Sequence, residues 1–380
     1  MAGSAGSVAA WSREWFPELI TGVVATSPFM ESKTDFYDYM IDMEQIIRAY
    51  SNDCADRITV AFSTLQQWSL TMEGRNDITD TFSLNPTWYN VTSVNPLDLQ
   101  KLYVQLFTYF QLVVQYSSDD FKMGKEYTIQ GMCQMMNNPN TTAIQAVRNV
   151  QVWMGGNQTA VSFDYDINFY KDVMNYMVVM WLWQTCNEFG QFQSTDYGYG
   201  LFGSGVPLNY YIITCERVFG ATMDHVESGM ARSLYLFGDK RRYKGTNAVL
   251  TSGTSDPWRS MNIVEQGSLD PSVVPIVIQG GAHGSDTYAP LDSDSQSLKD
   301  ARTAILTNIR KWVAEGPMPT TSKGTAPPAT GSTGTDETAS STFAPTTTVP
   351  TTIETTTKSS IIHNSLAVAV LSALISLLLL

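Results

Sequence analysis

Two apolar runs that empty into glycine-bearing loops place the tightest limit on what this chain can fold into. Ala248-Val249-Leu250-Thr251 leads into Ser252-Gly253 and then Asp256. Val274-Pro275-Ile276-Val277-Ile278-Gln279 leads into Gly280-Gly281 and then His283. Each run reads as a short buried strand. In parallel α/β sheets the functional groups collect in loops past the carboxyl ends of the strands, so both residues are expected on one sheet edge. The chain has three histidines, His225, His283 and His363. His363 lies in a C-terminal tail and His225 in a polar helical stretch, which leaves His283 as the candidate base.

Taken singly, both residues have plainer readings. Asp before Pro257 favours turn initiation, and a histidine among glycines suits any flexible loop. Their joint placement after two successive strands, 27 residues apart, points to acyl transfer. A carboxylate fixes the tautomer of an imidazole, and the imidazole takes the proton of a hydroxyl. For the hydroxyl, Ala2-Gly3-Ser4-Ala5-Gly6 is one residue short of G-x-S-x-G, with Ala2 where the first glycine belongs. Ser4 is therefore the candidate nucleophile, against the plainer reading of a Gly/Ala/Ser-rich terminus.

Along the chain, residues 7–16 carry a helical pattern and Leu19 to Ala25 a compact apolar run, helix then strand. Beyond Pro28 the pattern turns helical. Phe36, Met40, Met43, Ile47 and Tyr50 share a face, and Cys54, Ile58, Phe62 and Leu65 continue it. Asn95-Pro96 opens a further helix with Leu99, Leu102, Leu106, Phe110 and Val113 on one side. Helices are also expected over 129–136, 170–184 and 210–219. The closing helix should bury Leu298, Ala301, Ile305, Ile309 and Trp312. The expected organisation is an α/β core beginning in 1–30, a helical insertion over 31–238, and the rest of the core over 239–316.

Residues 317–360 contain 28 Ser, Thr or Pro among 44, too little apolar material for a core, and read as an O-glycosylated stalk. Residues 361–380 end in a run of 15 apolar or small residues from Leu366 to Leu380. A hydrophobic tail behind a polar spacer has the form of a GPI-attachment signal, with small residues near Ser359 and Ser360 as attachment points; a tail-anchored helix is the alternative. The net charge of −13 argues against a nucleic-acid partner, which calls for clustered Lys and Arg. Four cysteines, Cys54, Cys133, Cys186 and Cys215, form no CxxC pair, which is poor metal geometry and good disulfide material in an oxidising compartment. Sequons at Asn90, Asn140 and Asn157 agree with a secretory route. The first residues lack the basic and apolar regions of a signal peptide, so the sequence is expected to begin inside a longer protein. No cofactor and no metal are expected.

These motifs resemble a family of serine carboxypeptidases comprising lysosomal prolyl carboxypeptidase, dipeptidyl peptidase II and thymus-specific serine protease. GSAGSVAAWSREWFPELITGVVATSPF resembles the family's elbow, GGSYxGxLAAWxRxxYPxLxxGAxASSAP. YDYMIDMEQIIRAYSNDCADRI resembles the helix that opens its cap, and WLWQTCNEFGQFQ its W-x-x-Q-x-C-T-E stretch. TNAVLTSGTSDPW resembles its TNxxFxNGxxDPW, and GGAHGSD its histidine loop. The resemblance spans residues 3–316. It implies an α/β-hydrolase core with a helical cap and an exopeptidase acting at proline. On that basis Asp256 corresponds to the triad acid and His283 to the base. Cys186 with Cys215, and Cys54 with Cys133, correspond to family disulfides. Gln184, Glu188 and Trp258 fall on motif positions near the site.

The departures are specific. Counting back from Trp11 without a gap sets the family serine against Gly3 and its tyrosine against Ser4; deleting the tyrosine sets the serine against Ser4. Ser252 stands where the family has the asparagine of its NG pair. The family strands that precede the elbow are absent, leaving about three strands with open edges. The expected function is a cell-surface, secretory or lysosomal serine exopeptidase taking proline-containing peptides, either a Pro-X carboxypeptidase or an X-Pro dipeptidyl peptidase. The rival is a catalytically inactive, glycosylated surface protein that binds peptides or partners through its cap.

Overall fold

In the computed structural model, which describes residues 2–84, 88–116, 127–155, 162–172 and 176–316, a small parallel sheet is joined to a much larger set of helices. Helix α1 (Ser4–Trp15) precedes strand β1 (Val23–Thr26), and a short strand β2 (Lys33–Asp35) follows. Among the described residues eight helices come next: α2 (Asp38–Tyr50), α3 (Asn52–Ser69), α4 (Met72–Phe82), α5 (Pro96–Tyr116), α6 (Ile129–Met136), α7 (Ala143–Trp153), α8 (Phe163–Lys171) and α9 (Tyr176–Gln184). Strand β3 (Gly190–Phe192) and helices α10 (Leu208–Phe219) and α11 (Met223–Phe237) lead to β4 (Ala248–Gly253), β5 (Val273–Ile278) and α12 (Gln296–Glu315).

Strand β4 lies between β1 and β5, all parallel, with Thr26 opposite Thr251 and Thr251 opposite Ile276. As the central strand β4 is buried at all six residues, whereas β5 is only partly buried through its middle. Parallel pairing sends the carboxyl ends of β4 and β5 to the same edge, which is what brings Asp256 and His283 together. Helix α1 is held to the sheet by Arg13, which is fully buried. Its guanidinium donates to the carbonyls of Thr246, Pro17 and Ile20 and to Thr246 Oγ1. A buried cation without a carboxylate is tolerable here because its donors are taken up by fixed acceptors. Trp11 on the same helix stacks on Phe237 at 4.4 Å and on Phe189 at 5.8 Å.

The helices form because apolar residues recur every three or four positions and polar caps close their ends. Ser51, Thr71, Thr128 and Thr142 each accept a hydrogen bond from a first-turn N–H, and Thr142 with Gln145 completes a capping box. Helix α5 is buried on every side from Lys101 to Gln115, the mark of a helix central to its region. Phe62, Phe107, Phe110 and Phe202 meet around it with ring centroids 5.0–6.0 Å apart. The bonds Cys54–Cys133 and Cys186–Cys215 join α3 to α6 and the segment after α9 to α10.

Three expectations need correction, and a second sheet goes beyond them. Of the apolar run over 19–25 only the end is strand, β1 starting at Val23 and Leu19 being 77% exposed. The single helix over 170–184 is two helices, α8 and α9, after which Thr185–Phe189 continues as a wider π-helical turn. β2 and β3 pair in parallel as a second, two-stranded sheet; three-residue strands carry no periodic signal. On α12, Leu298, Ala301 and Trp312 are buried, but Ile305 is only partly so and Ile309 is exposed. The helix contacts the sheet near its first turns and again at Trp312, whose indole lies over Gly22. Any Cβ at Gly22 would fall 2.4 Å from that ring. The sequon at Asn157, the Ser/Thr/Pro-rich stretch and the hydrophobic tail lie outside the described residues. No helix among the described residues is long and apolar enough to cross a membrane.

Candidate active site

Asp256 and His283 meet past the ends of β4 and β5. His283 Nδ1 lies 3.1 Å from Asp256 Oδ1 and 3.0 Å from Oδ2. An ionised carboxylate only accepts, so Nδ1 carries the hydrogen and Nε2 is left as a base. The Asp256 side chain has no exposed surface, and that of His283 is 13% exposed. Asp256 Oδ1 also accepts the backbone N–H of Trp258 at 2.9 Å, which fixes the carboxylate against rotation. The two loops are stitched together: Thr254 N–H donates to Ile278 O at 3.0 Å and Ser255 N–H to Gly281 O at 2.9 Å. Gly253 permits this approach, because a Cβ there would lie 2.0 Å from Gly281 O. On the other side, Gly284 N–H donates to Ser27 Oγ at the end of β1.

The helices hold the same loop from outside the sheet. His283 N–H donates to the backbone oxygen of Gln115 at 3.0 Å. The Gln115 side chain, through Oε1, accepts from Tyr39 Oη at 2.7 Å and from Trp258 Nε1 at 3.0 Å. One residue at the end of α5 therefore fixes the imidazole's backbone and the indole next to Asp256. Sequence reasoning passed over it. The available signal was a glutamine, with Gln105 and Gln111, among the apolar residues of a helix buried throughout from Lys101 to Gln115, where a buried polar group must find partners.

The elbow is arranged differently from the expectation. Ala2 forms a parallel bridge with Thr26, and Gly3 N–H donates to Thr26 O at 2.9 Å, so this segment runs beside β1 before the chain turns. The turn falls at Gly3, with φ 56° and ψ −132°, and Ser4 is the first residue of α1. A Cβ on Gly3 would lie 3.3 Å from His283 Nε2. Ser4, the expected nucleophile, sits one residue beyond the apex and makes no hydrogen bond to the imidazole among the described residues. The cause is geometric: one step into a helix rotates a side chain away from the point toward which the apex residue projects.

These groups open onto a cavity of about 550 Å³, a size suited to a small ligand or a few peptide residues. Phe29, Tyr116, Trp181, Phe192, Tyr211 and Trp258 supply aromatic walls, with Gln111, Gln115, Gln184, Gln191 and Gln193 between them and Gly3, Ser4 and His283 at one end. Burial pushes the Tyr116 phenol up to about 12, so it stays a neutral hydrogen-bonding group beside the imidazole. Of the other motif positions, Gln184 and Trp258 line the cavity, and Glu188 lies in the π-helical turn that follows α9. The sequon residues Asn90 and Asn140 are exposed.

Comparison with known proteins places the chain in a family. The family described as Serine carboxypeptidase S28 matches residues 2–305. A serine protease homologue of Caenorhabditis elegans is 32% identical over 333 residues, covering 82% of this chain and 61% of the relative. The thymus-specific serine protease of Homo sapiens is 25% identical over 331 residues, 81% of this chain and 62% of the relative. The lysosomal Pro-X carboxypeptidase of Mus musculus is 21% identical over 341 residues, 82% and 62% respectively. The chain thus spans 61–62% of the length of these relatives.

Proposed function

The chain belongs to the serine carboxypeptidase S28 family and is a serine-type peptidase by descent, and on that premise we propose that its site serves an exopeptidase acting at the peptide bond beside proline. In the reaction that such a site serves, a hydroxyl carried at the apex of the elbow attacks the carbonyl carbon and forms the acyl bond as the C–N bond breaks. His283 takes the hydroxyl proton at Nε2 and returns it to the leaving amine nitrogen, while Asp256 holds the imidazole and stabilises its cation. The observation that carries the reading is the Asp256–His283 contact at the mouth of an aromatic cavity. Proline suits such walls, being apolar and lacking the N–H that aromatic rings would leave unpaired. The helices between β1 and β4 act as the cap that shapes the cavity, and the peptide terminus it accepts decides between carboxypeptidase and dipeptidyl peptidase action. Exposed Asn90 and Asn140, together with two disulfides, support a glycosylated protein of the secretory route.

Titration of the purified chain with short peptides, followed by tryptophan fluorescence, tests the reading. Peptides containing proline are expected to bind at least about tenfold more tightly than their alanine counterparts, a difference of roughly 1.4 kcal/mol. Equal affinities would remove proline from the reading. Blocking the amino or the carboxyl end of the peptide then shows which terminus is recognised.

A further inference from the structure

We propose that Gly3, and not Ser4, occupies the nucleophile position of this site, so that the chain as it stands holds a peptide beside a complete acid–base pair without forming an acyl-enzyme. The proposal rests on the reading of the cavity as a peptidase site. Three observations carry it. The segment Ala2–Gly3 runs parallel to the end of β1 and turns straight into α1, which is the strand–turn–helix form of a nucleophile elbow. The residue at the apex of such an elbow has a strained, positive-φ backbone, and here that residue is Gly3 at φ 56° and ψ −132°. Finally, the Cβ position of Gly3 points at the free nitrogen of the base, 3.3 Å from Nε2 and 4.0 Å from Cε1. A hydroxyl borne on that Cβ falls within hydrogen-bond reach of Nε2, the distance a nucleophile–base pair requires.

Ser4 has a different part in this arrangement. The residue after the apex donates its backbone N–H to the developing oxyanion of an acyl-transfer site, and as the first residue of α1 Ser4 is in that place. Its hydroxyl makes no hydrogen bond to the imidazole among the described residues, and Nε2 lies 3.3 Å from the Cβ position of Gly3. The gap-free alignment back from Trp11, which sets the family serine against Gly3, is the register the backbone adopts. The retained groups remain competent: Asp256 still orients His283, and the cavity still opens on Nε2.

The experiment compares the wild-type chain with Gly3→Ser, Gly3→Ala and Ser4→Ala by reaction with a fluorophosphonate, read by intact mass. In Gly3→Ser the Oγ–P bond forms as P–F breaks, fluoride leaves, and the hydroxyl proton passes to His283. One adduct per chain is expected, at a rate on the order of 10²-fold above wild type, and abolished by a further His283→Ala. Wild type is expected to bind proline peptide and remain unmodified, and Ser4→Ala to remain unmodified as well. Gly3→Ala carries the same backbone strain without a hydroxyl, so its thermal midpoint separates misfolding from chemistry. An adduct on the wild-type chain that Ser4→Ala removes would overturn the proposal, as would a folded Gly3→Ser chain that binds proline peptide and stays unmodified. If proline peptide binds to no chain, the peptidase-site reading itself falls.

Discussion

The helical region and the sheet are built to different standards, and the site lies where they meet. Between α2 and α11 the chain buries aromatic rings in mutual contact, closes both disulfides, and surrounds α5 on all sides. The sheet has one wholly buried strand, a half-covered β5, and beneath it a satellite cluster of only Ile278, Leu298 and Ala301. A group placed to within fractions of an ångström needs a rigid mount, and the sheet alone offers a modest one. Accordingly the His283 loop is fastened on both sides, through Gly284 to Ser27 and through its own N–H to Gln115. Trp258, beside Asp256, packs among Phe29, Phe36, Tyr39 and Trp181 from other segments of the chain. The chemistry belongs to the sheet edge, and much of its precision is supplied by the helices.

The most severe way to break this contrast is to damage the helical region at its most buried charge. Lys101 Nζ lies 2.8 Å from Asp166 Oδ1, with side-chain exposures of 2% and 10%. Burial raises the pKa of Asp166, and Lys101 opposes that shift. Lys101→Ala strands a buried carboxylate and is expected to cost about 3–5 kcal/mol in urea unfolding. On the sheet side, Leu298→Ala is expected to cost about 2 kcal/mol, at the low end for a buried leucine because its sparse cluster can relax into the space. If the two losses come out equal, the contrast in packing has no energetic content.

A third change is aimed at the junction. Gln115→Ala removes the shared acceptor of Tyr39 Oη and Trp258 Nε1, and the cost of a buried donor that loses its partner is about 1–3 kcal/mol. The backbone bond from His283 N–H to Gln115 O survives. The loss should therefore appear as weakened peptide binding and lowered stability, with the response of Gly3→Ser to fluorophosphonate changed far less. Asp286 gives a smaller, pH-dependent effect. Its Oδ2 accepts from Thr26 Oγ1 at 2.8 Å and Thr251 Oγ1 at 3.1 Å, tying the His283 loop to the ends of β1 and β4. Burial, the largest influence, raises its pKa above the usual carboxylate value. A carboxyl group whose folded pKa is raised binds its proton more tightly in the folded state. Its contribution is full below the unfolded pKa, near 4, and is lost as pH rises through the folded value. Unfolding midpoints measured from pH 4 to 7 should show Asp286→Asn with a flatter decline over that window than wild type; an unchanged slope would show that other groups set it.

How much of this was legible in the sequence follows from how far apart the cooperating residues lie. β4 and β5 announced themselves because strands of a parallel sheet are apolar along their length, and glycines mark where they end. Asn95-Pro96 likewise marked the start of α5. The role of Gln115 was hidden because its partners stand 76 and 143 residues away, and nothing in local spacing links them. The elbow register was hidden for another reason: sequence comparison allowed both Gly3 and Ser4, and only backbone dihedrals distinguish an apex from the first residue of a helix. On α12 the period correctly grouped residues on one face. It had no information on how much of that face the sheet would cover.

That last point yields the smallest and most discriminating expectation. Leu306, Ile309 and Val313 on α12 are 51%, 37% and 76% exposed, although Ile309 shares the face that carries Leu298 and Trp312. If the sheet layer ends where the described residues place it, Ile309→Ser exchanges one exposed side chain for another and shifts stability by no more than about 0.5 kcal/mol. The same substitution in a covered position costs several times that, because it adds the loss of buried apolar area to an unpaired hydroxyl. Chemical denaturation of the single variant beside Leu298→Ala decides between the two. A loss approaching that of Leu298→Ala would mean that the outer half of α12 is covered in solution, and the contrast between the two regions would be smaller than the packing indicates.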